Sequence, residues 1–217
     1  IGGAIADESK LILQTPQKFA DRYHVDVRVF HEALSIDRAA HTLRIQGADG
    51  TAYEEQYDKL ILSPGAYPIV PNIDHADDTR VFTLRNIPDM ERILSHIRSN
   101  HPARAVVVGC GYIGLELVEN LVHAGVSVSA VDLADSVIAP LDRDMAAEVH
   151  TYLESKGVSL YLSSPLTAIE KANAGLTVVA GDHRLPADMV ILALGIRPET
   201  TLAKNAELSL NGKGFII

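Results

Sequence analysis

The apolar positions change rhythm along the chain. Residues 15–23 (TPQKFADRY) have helical spacing behind a Thr-Pro start. VDVRVFHEALSID, residues 25–37, then alternates, placing Val25, Val27 and Val29 on one face and predicting a strand. HTLRIQGADGTAYEEQY reads as two short strands around a turn at Gly47–Gly50. KLILSPGAYPIVP reads as a buried strand entering a Gly/Pro-rich loop. The first part of the chain is therefore expected to be an antiparallel meander ending in a core strand.

A second rhythm begins near residue 88. PDMERILSHIRSN is a helix with Pro88 in its first turn, and HPA at 101–103 breaks it, which puts a domain boundary near 99–103. Strand RAVVVG, helix YIGLELVENLVHAG, strand VSVSAVD, helix DRDMAAEVHTYLESKG and strand VSLYL come next in order. This alternation predicts an α/β fold with a parallel sheet. LTAIEKANAGLTVVAGDHRLPAD adds short antiparallel strands before the apolar strand MVILALG.

Composition narrows the function. With 47% apolar residues in 217, the chain can bury a core of one large or two modest domains. A formal charge of −9, without a block of like charges, argues against nucleic-acid or anionic-membrane partners. One cysteine excludes an internal disulfide framework and a CxxC pair, and fits a reducing cytoplasm. No run approaches the ~18 apolar residues of a membrane span, and IGGAIADESK lacks the regions of a signal peptide, so a soluble protein is expected. The nine histidines are scattered without ligand spacing, and no metal site is expected.

The chemistry concentrates in VVVGCGYIGLE, residues 106–116. Gly109, Gly111 and Gly114 form G-x-G-x-x-G between an apolar strand and an amphipathic helix. The first glycine permits the tight turn, the second lets the backbone approach a pyrophosphate, and the third lets helix and strand pack. The helix N-terminus supplies positive potential for phosphates even in an acidic chain. Asp132 ends the next strand 18 residues after Gly114, where a ribose-binding acid is expected at about 20. No Arg or Lys occurs after it until Arg143, so NADH is favoured over NADPH. Cys110, between the first two glycines, reads as a spacer, although a helix N-terminus can lower a thiol pKa.

YDKLILSPGAYPIVP, VVVGCGYIGLELVENL and DMVILALGIRPET, with TLRNIPDMERIL and PLDRDMA, together resemble the FAD-dependent pyridine nucleotide-disulfide oxidoreductases. The resemblance covers nearly the whole chain and points to the branch of CoA-disulfide and CoA-persulfide reductases and NADH oxidases. It implies a Rossmann-like three-layer FAD/NAD(P)-binding fold with antiparallel β-meander insertions. The implied domains are a later half of an FAD-binding domain over residues 1–100 and an NAD(H)-binding domain over 101–217.

Site residues come from the same resemblance. Ser63, Pro64, Gly65 and Ala66 match the loop lying against the flavin, and the stretch from Glu32 through Ala33 to Leu34 matches a strand beside the FAD adenine. Tyr112 matches an aromatic gate over the flavin, next to Ile113 in the glycine-loop helix. Glu116 matches a carboxylate near the nicotinamide; on the pattern alone it is an acid in the helix's first turn. Ala193 to Gly195 match a loop passing the nicotinamide, continued by Arg197 and Pro198.

The resemblance also implies parts that these residues do not supply. There is no second G-x-G-x-x-G for the FAD pyrophosphate, and the family's redox cysteine is expected upstream of Ile1. The chain alone is expected to bind NADH, to hold no FAD tightly and to turn over poorly, while the full-length protein is expected to be a homodimer acting on a small-molecule substrate. Two alternatives remain at this point: a cysteine-free reductase of a rubredoxin or ferredoxin, and a stand-alone NADH-binding module without chemistry.

Overall fold

The computed structural model describes residues 2–3 and 8–217; the N-terminal stretch IGGAIADESK lies partly outside the described residues. The described residues form two compact units. One comprises Pro68–Ile196 with Gly2 and Gly3, and the other Glu8–Tyr67 with Arg197–Ile217. The chain thus passes between units at 67/68 and 196/197, whereas the change in rhythm points to residues 99–103. The helix before that break belongs with the parallel sheet after it.

The unit containing Glu8–Tyr67 begins with a 3-10 turn, Glu8–Leu11, and helix α1, Pro16–Tyr23. Thr15 caps α1 by accepting from Lys18 N–H, with Pro16 at the first helical position, as the sequence predicts. Strands β1 (Glu32–Asp37), β2 (Thr42–Gln46) and β3 (Ala52–Gln56) form the expected antiparallel meander. Two expectations fail here. Residues 25–30 are not strand, and Phe30 takes a left-handed φ of 59°. The run 58–62 is likewise not strand, and Ile61 is 90% exposed. Alternation and apolarity mark a segment able to join a sheet, but a strand also needs a neighbour to complete its ladder. Neither segment has one among the described residues.

The other unit carries the core. Strands β4 (Ala66–Pro68) and β13 (Ile196–Pro198) each run across a boundary between the units; the strands wholly within this one are β5 (Val81–Phe82), β6 (Arg104–Val108), β7 (Ser127–Val131), β8 (Ser159–Tyr161), β9 (Leu166–Ala172), β10 (Gly175–Ala180), β11 (His183–Ala187) and β12 (Met189–Leu192). Its helices are α2 (Ile87–Asn100), α3 (Tyr112–His123) and α4 (Arg143–Ser155). Five strands make a parallel sheet in the order β5-β12-β6-β7-β8, confirming the βαβαβ reading.

Strand β6 shows why three layers form. Ala105 and Val107 join the helix-side core with Ile93, Leu117, Val118, Leu121 and Leu153, while Val106 and Val108 join Ile169, Leu176, Val178 and Leu185 of an antiparallel sheet. Successive side chains of a strand point to opposite faces, so a continuous apolar run requires cover on both. Helices α2, α3 and α4 supply one cover and β9–β11 the other. At the strand starts, the Arg80 guanidinium makes two hydrogen bonds to Asp78, and Asp188 accepts from Ala103 and Arg104 N–H as well as from the Arg104 guanidinium.

In the chain's last part, the short helix α5 (Thr201–Asn205), which the sequence pattern does not predict, packs on β1 in the unit of the meander.

Candidate functional site

The glycine loop lies between β6 and α3, at the carboxyl end of the parallel strands. Gly109 has φ 106°, and a Cβ there would stand 2.2 Å from the Ala193 carbonyl oxygen. A Cβ on Gly114 would stand 1.8 Å from the Gly109 carbonyl oxygen. Both glycines are demanded by the protein itself. Gly111 differs: its φ of −76° suits any residue, and a Cβ would meet nothing within 4 Å. It is also the N-cap of α3, with no side chain capping the first turn. The first-turn N–H groups therefore face open space through the one loop glycine that packing does not require.

Around that opening, Gly111, Tyr112, Ile113, Gly114, Ala193 and Gly195 line one cleft of about 210 Å³. Tyr112, Ile113 and Glu116 also line a neighbouring cleft of about 320 Å³, completed by Leu84, Met90, Leu117 and Asn120. Tyr112 is 64% exposed, so its ring has room to move. Glu116 is the fifth residue of α3, in its second turn rather than the expected first, one turn beyond the strongest influence of the dipole. Leu84 and Met90 escape a reading of the sequence because isolated apolar residues on separate elements carry no motif.

Asp132 directly follows β7. Its Oδ2 accepts from Cys110 N–H at 2.6 Å and its Oδ1 from Ala134 N–H at 2.8 Å. A carboxylate has about four acceptor positions, so capacity for further donors remains. Cys110 is buried, and desolvation, assisted by the Asp132 carboxylate, pushes its thiol up to about 12. Both effects disfavour the thiolate, which fits the spacer reading of the residue.

The other unit holds a larger cavity of about 800 Å³. Ala33, Ser63 and Pro64 line it with His31, Glu32, Leu34, Leu43, the apolar run Leu60–Leu62, and Glu199, Thr201, Leu202 and Asn205. Gly65 is next in the chain with φ 79°, and its carbonyl accepts from Glu199 N–H at 3.0 Å, tying this loop to the start of the chain's last segment. The contribution of α5 is not legible in the sequence, since four- to five-residue helices give too little periodicity.

Of the residues expected at the dinucleotide site, Gly109, Gly111, Tyr112, Ile113, Gly114, Glu116, Asp132, Ala193 and Gly195 fall in the Pro68–Ile196 unit, while Arg197 and Pro198 fall in the other, together with Ala33, Ser63, Pro64 and Gly65 of the expected flavin site. No helix among the described residues is long and apolar enough to cross a membrane.

Comparison with known proteins accords with this arrangement. A NADH oxidase of Methanocaldococcus jannaschii is 35% identical over 207 residues, covering 95% of this chain and 46% of the relative. A coenzyme A disulfide reductase of Staphylococcus aureus is 30% identical over 217 residues, covering 100% of this chain and 48% of the relative. The chain therefore spans about half the length of these relatives. The solved structure of a water-forming NADH oxidase from Lactobacillus brevis, bound to NADH, superposes with a TM-score of 0.90 at 28% identity, covering 98% of this chain and 47% of that one. The sequence matches the pyridine nucleotide-disulphide oxidoreductases over residues 3–217, essentially end to end, and the chain belongs to that family.

Proposed function

We propose that this chain contributes the dinucleotide site and part of the flavin site of an FAD-dependent NADH oxidoreductase whose acceptor is a disulfide or persulfide of the coenzyme A type, or oxygen. In this reading the Pro68–Ile196 unit holds NADH and the other unit holds part of FAD. The observation that carries it is Gly111, which leaves an uncapped helix terminus open beside Asp132 without any packing reason of its own. The N–H groups at the start of α3 would take the pyrophosphate, and Asp132 would accept from ribose hydroxyls through its remaining acceptor positions. Gly114, Ala193 and Gly195 would form the wall along the bound dinucleotide, with Glu116 facing its nicotinamide end and Tyr112 swinging aside on entry.

The preference for NADH rests on the residues after Asp132: Leu133 and Ala134 carry no charge, and the first cation, Arg143, binds Asp135 at 2.6 Å. No cation therefore adjoins Asp132 in the chain to meet a 2′-phosphate. Titration with NADH and NADPH tests this; tighter NADPH binding overturns the cofactor assignment.

The flavin residues fit more loosely. Ala33, Ser63, Pro64 and Gly65 supply backbone and small side chains beside a roomy cavity, as an extended cofactor requires. Bound there, FAD would relay electrons from NADH to the acceptor, chemistry the protein's side chains cannot supply. The exposed Ile61 beside that cavity supports the expectation that this chain alone holds FAD weakly. A stoichiometric flavin absorbance band in purified chain would contradict it. The full-length protein is read as a cytoplasmic homodimer, which sedimentation of that protein checks.

A further inference from the structure

The backbone of Cys110 joins two loops. Its N–H donates to the Asp132 carboxylate, and its carbonyl accepts from Ile138 N–H at 2.9 Å. The segment 132–141, between β7 and α4, is thereby latched onto the glycine loop through the N–H and the carbonyl of one residue. The latch has an unfavourable part. Ile138 has φ 47°, and a β-branched side chain in the left-handed region is strained, so something must hold it there. Leu141 N–H closes onto the Ile138 carbonyl at 2.7 Å. The preceding residue, Val137, is buried in the helix-side core, and its N–H donates to His150 Nε2 at 3.1 Å. His150 is half-buried on α4, whose next turn sends Leu153 into the same core.

We propose that His150 is a positioning residue for the dinucleotide: by accepting from Val137 N–H it holds the strained loop against Cys110, so that Asp132 and the glycine turn keep their binding geometry. The inference rests on the proposed NADH site. It goes beyond that site, because His150 touches neither cleft and lies outside the G-x-G-x-x-G motif.

Without the Nε2 acceptor, a buried N–H loses its partner, and the restraint next to Ile138 goes with it. The loop can then relax from the left-handed conformation and release the Cys110 carbonyl. Gln and Asn separate this role from bulk. Gln places an amide oxygen at about the reach of Nε2, whereas Asn stops near Nδ1.

The test compares the full chain with His150→Gln and His150→Asn by NADH titration, thermal unfolding and amide hydrogen exchange without ligand. His150→Gln keeps NADH affinity within about twofold, while His150→Asn weakens it roughly tenfold. Exchange at the Ile138 amide rises on the order of tenfold in His150→Asn only. Equal affinities for the two variants, or unchanged Ile138 exchange in His150→Asn, overturn the proposal. A lowered unfolding temperature in both with NADH affinity intact overturns it too, since that is a purely structural role. If the unsubstituted chain fails to bind NADH, the functional reading falls, whereas a binding parent with unaffected variants removes only the role of His150.

Discussion

The two units solve the problem of burial differently. In Pro68–Ile196 a parallel sheet is covered on both faces, and both hydrophobic clusters lie entirely within it. In the unit of Glu8–Tyr67 and Arg197–Ile217, the described residues bury few apolar side chains, Ala203 and Ala206 among them, while Phe30, Ile61 and Leu13 face outward. Composition accounts for part of the contrast, since valine, isoleucine and leucine are sparser in the second unit. Layer closure accounts for the rest: a strand becomes core only when another layer covers it. The closed unit can carry a precise turn such as the glycine loop, and the open one offers a wide cavity walled by unpaired chain.

The largest effect that could break this comparison is at the loop glycines. Gly114→Ala forces a Cβ onto the Gly109 carbonyl and should cost roughly 3 kcal/mol or more in denaturant unfolding. Gly111→Ala should leave stability within about 0.5 kcal/mol while lowering NADH affinity at least about tenfold. Equal damage by both would remove the distinction between packing glycine and ligand glycine. Next comes core against exposed wall. Ile93→Ala, fully buried, should cost about 2–5 kcal/mol, and Ile61→Ala within about 0.5 kcal/mol by the same measurement. A large loss for Ile61→Ala would show that the open unit is closed after all.

A smaller effect depends on pH. The Arg80 guanidinium holds the Asp78 carboxyl down at about 2, from an ordinary value of 3.8. Its folded pKa is depressed, so the stability it contributes is complete above the unfolded value and lost as pH falls from about 4 through about 2. Asp78→Asn should cost about 2 kcal/mol at pH 7 in urea unfolding, and the difference should vanish near the lower value. The smallest expected change is at Cys110: with its thiol pushed up to about 12, a thiol reagent at pH 8 should modify it only as fast as the unit opens, and saturating NADH should slow this further.

Much of the closed unit is legible in the sequence. RAVVV requires cover on both faces by its unbroken apolarity, and the helices between parallel strands are given by periodicity. The residues of the proposed dinucleotide site are legible because the loop compresses three glycines and a helix start into six positions, with the acid at a fixed distance. Other features are not. The boundary at 67/68 falls within the Gly/Pro-rich loop, which by pattern is only a turn, and the rhythm of α2 does not reveal that Ile93 belongs with Phe82 and Leu117. Segments 25–30 and 58–62 have strand-like patterns but no neighbour among the described residues. His150 looks like one scattered histidine of nine.

The sequence by itself determined the period of each element, the three glycines and the acid after β7, because these depend on residues near one another along the chain. Only the tertiary structure decided what crowds the first of those glycines, the Ala193 carbonyl more than eighty residues away. It also decided that the loop cysteine is buried and protonated rather than activated, and that a distant histidine holds the strained turn beside it. Local pattern specifies what an element can do; the neighbours that folding brings to it specify what it does.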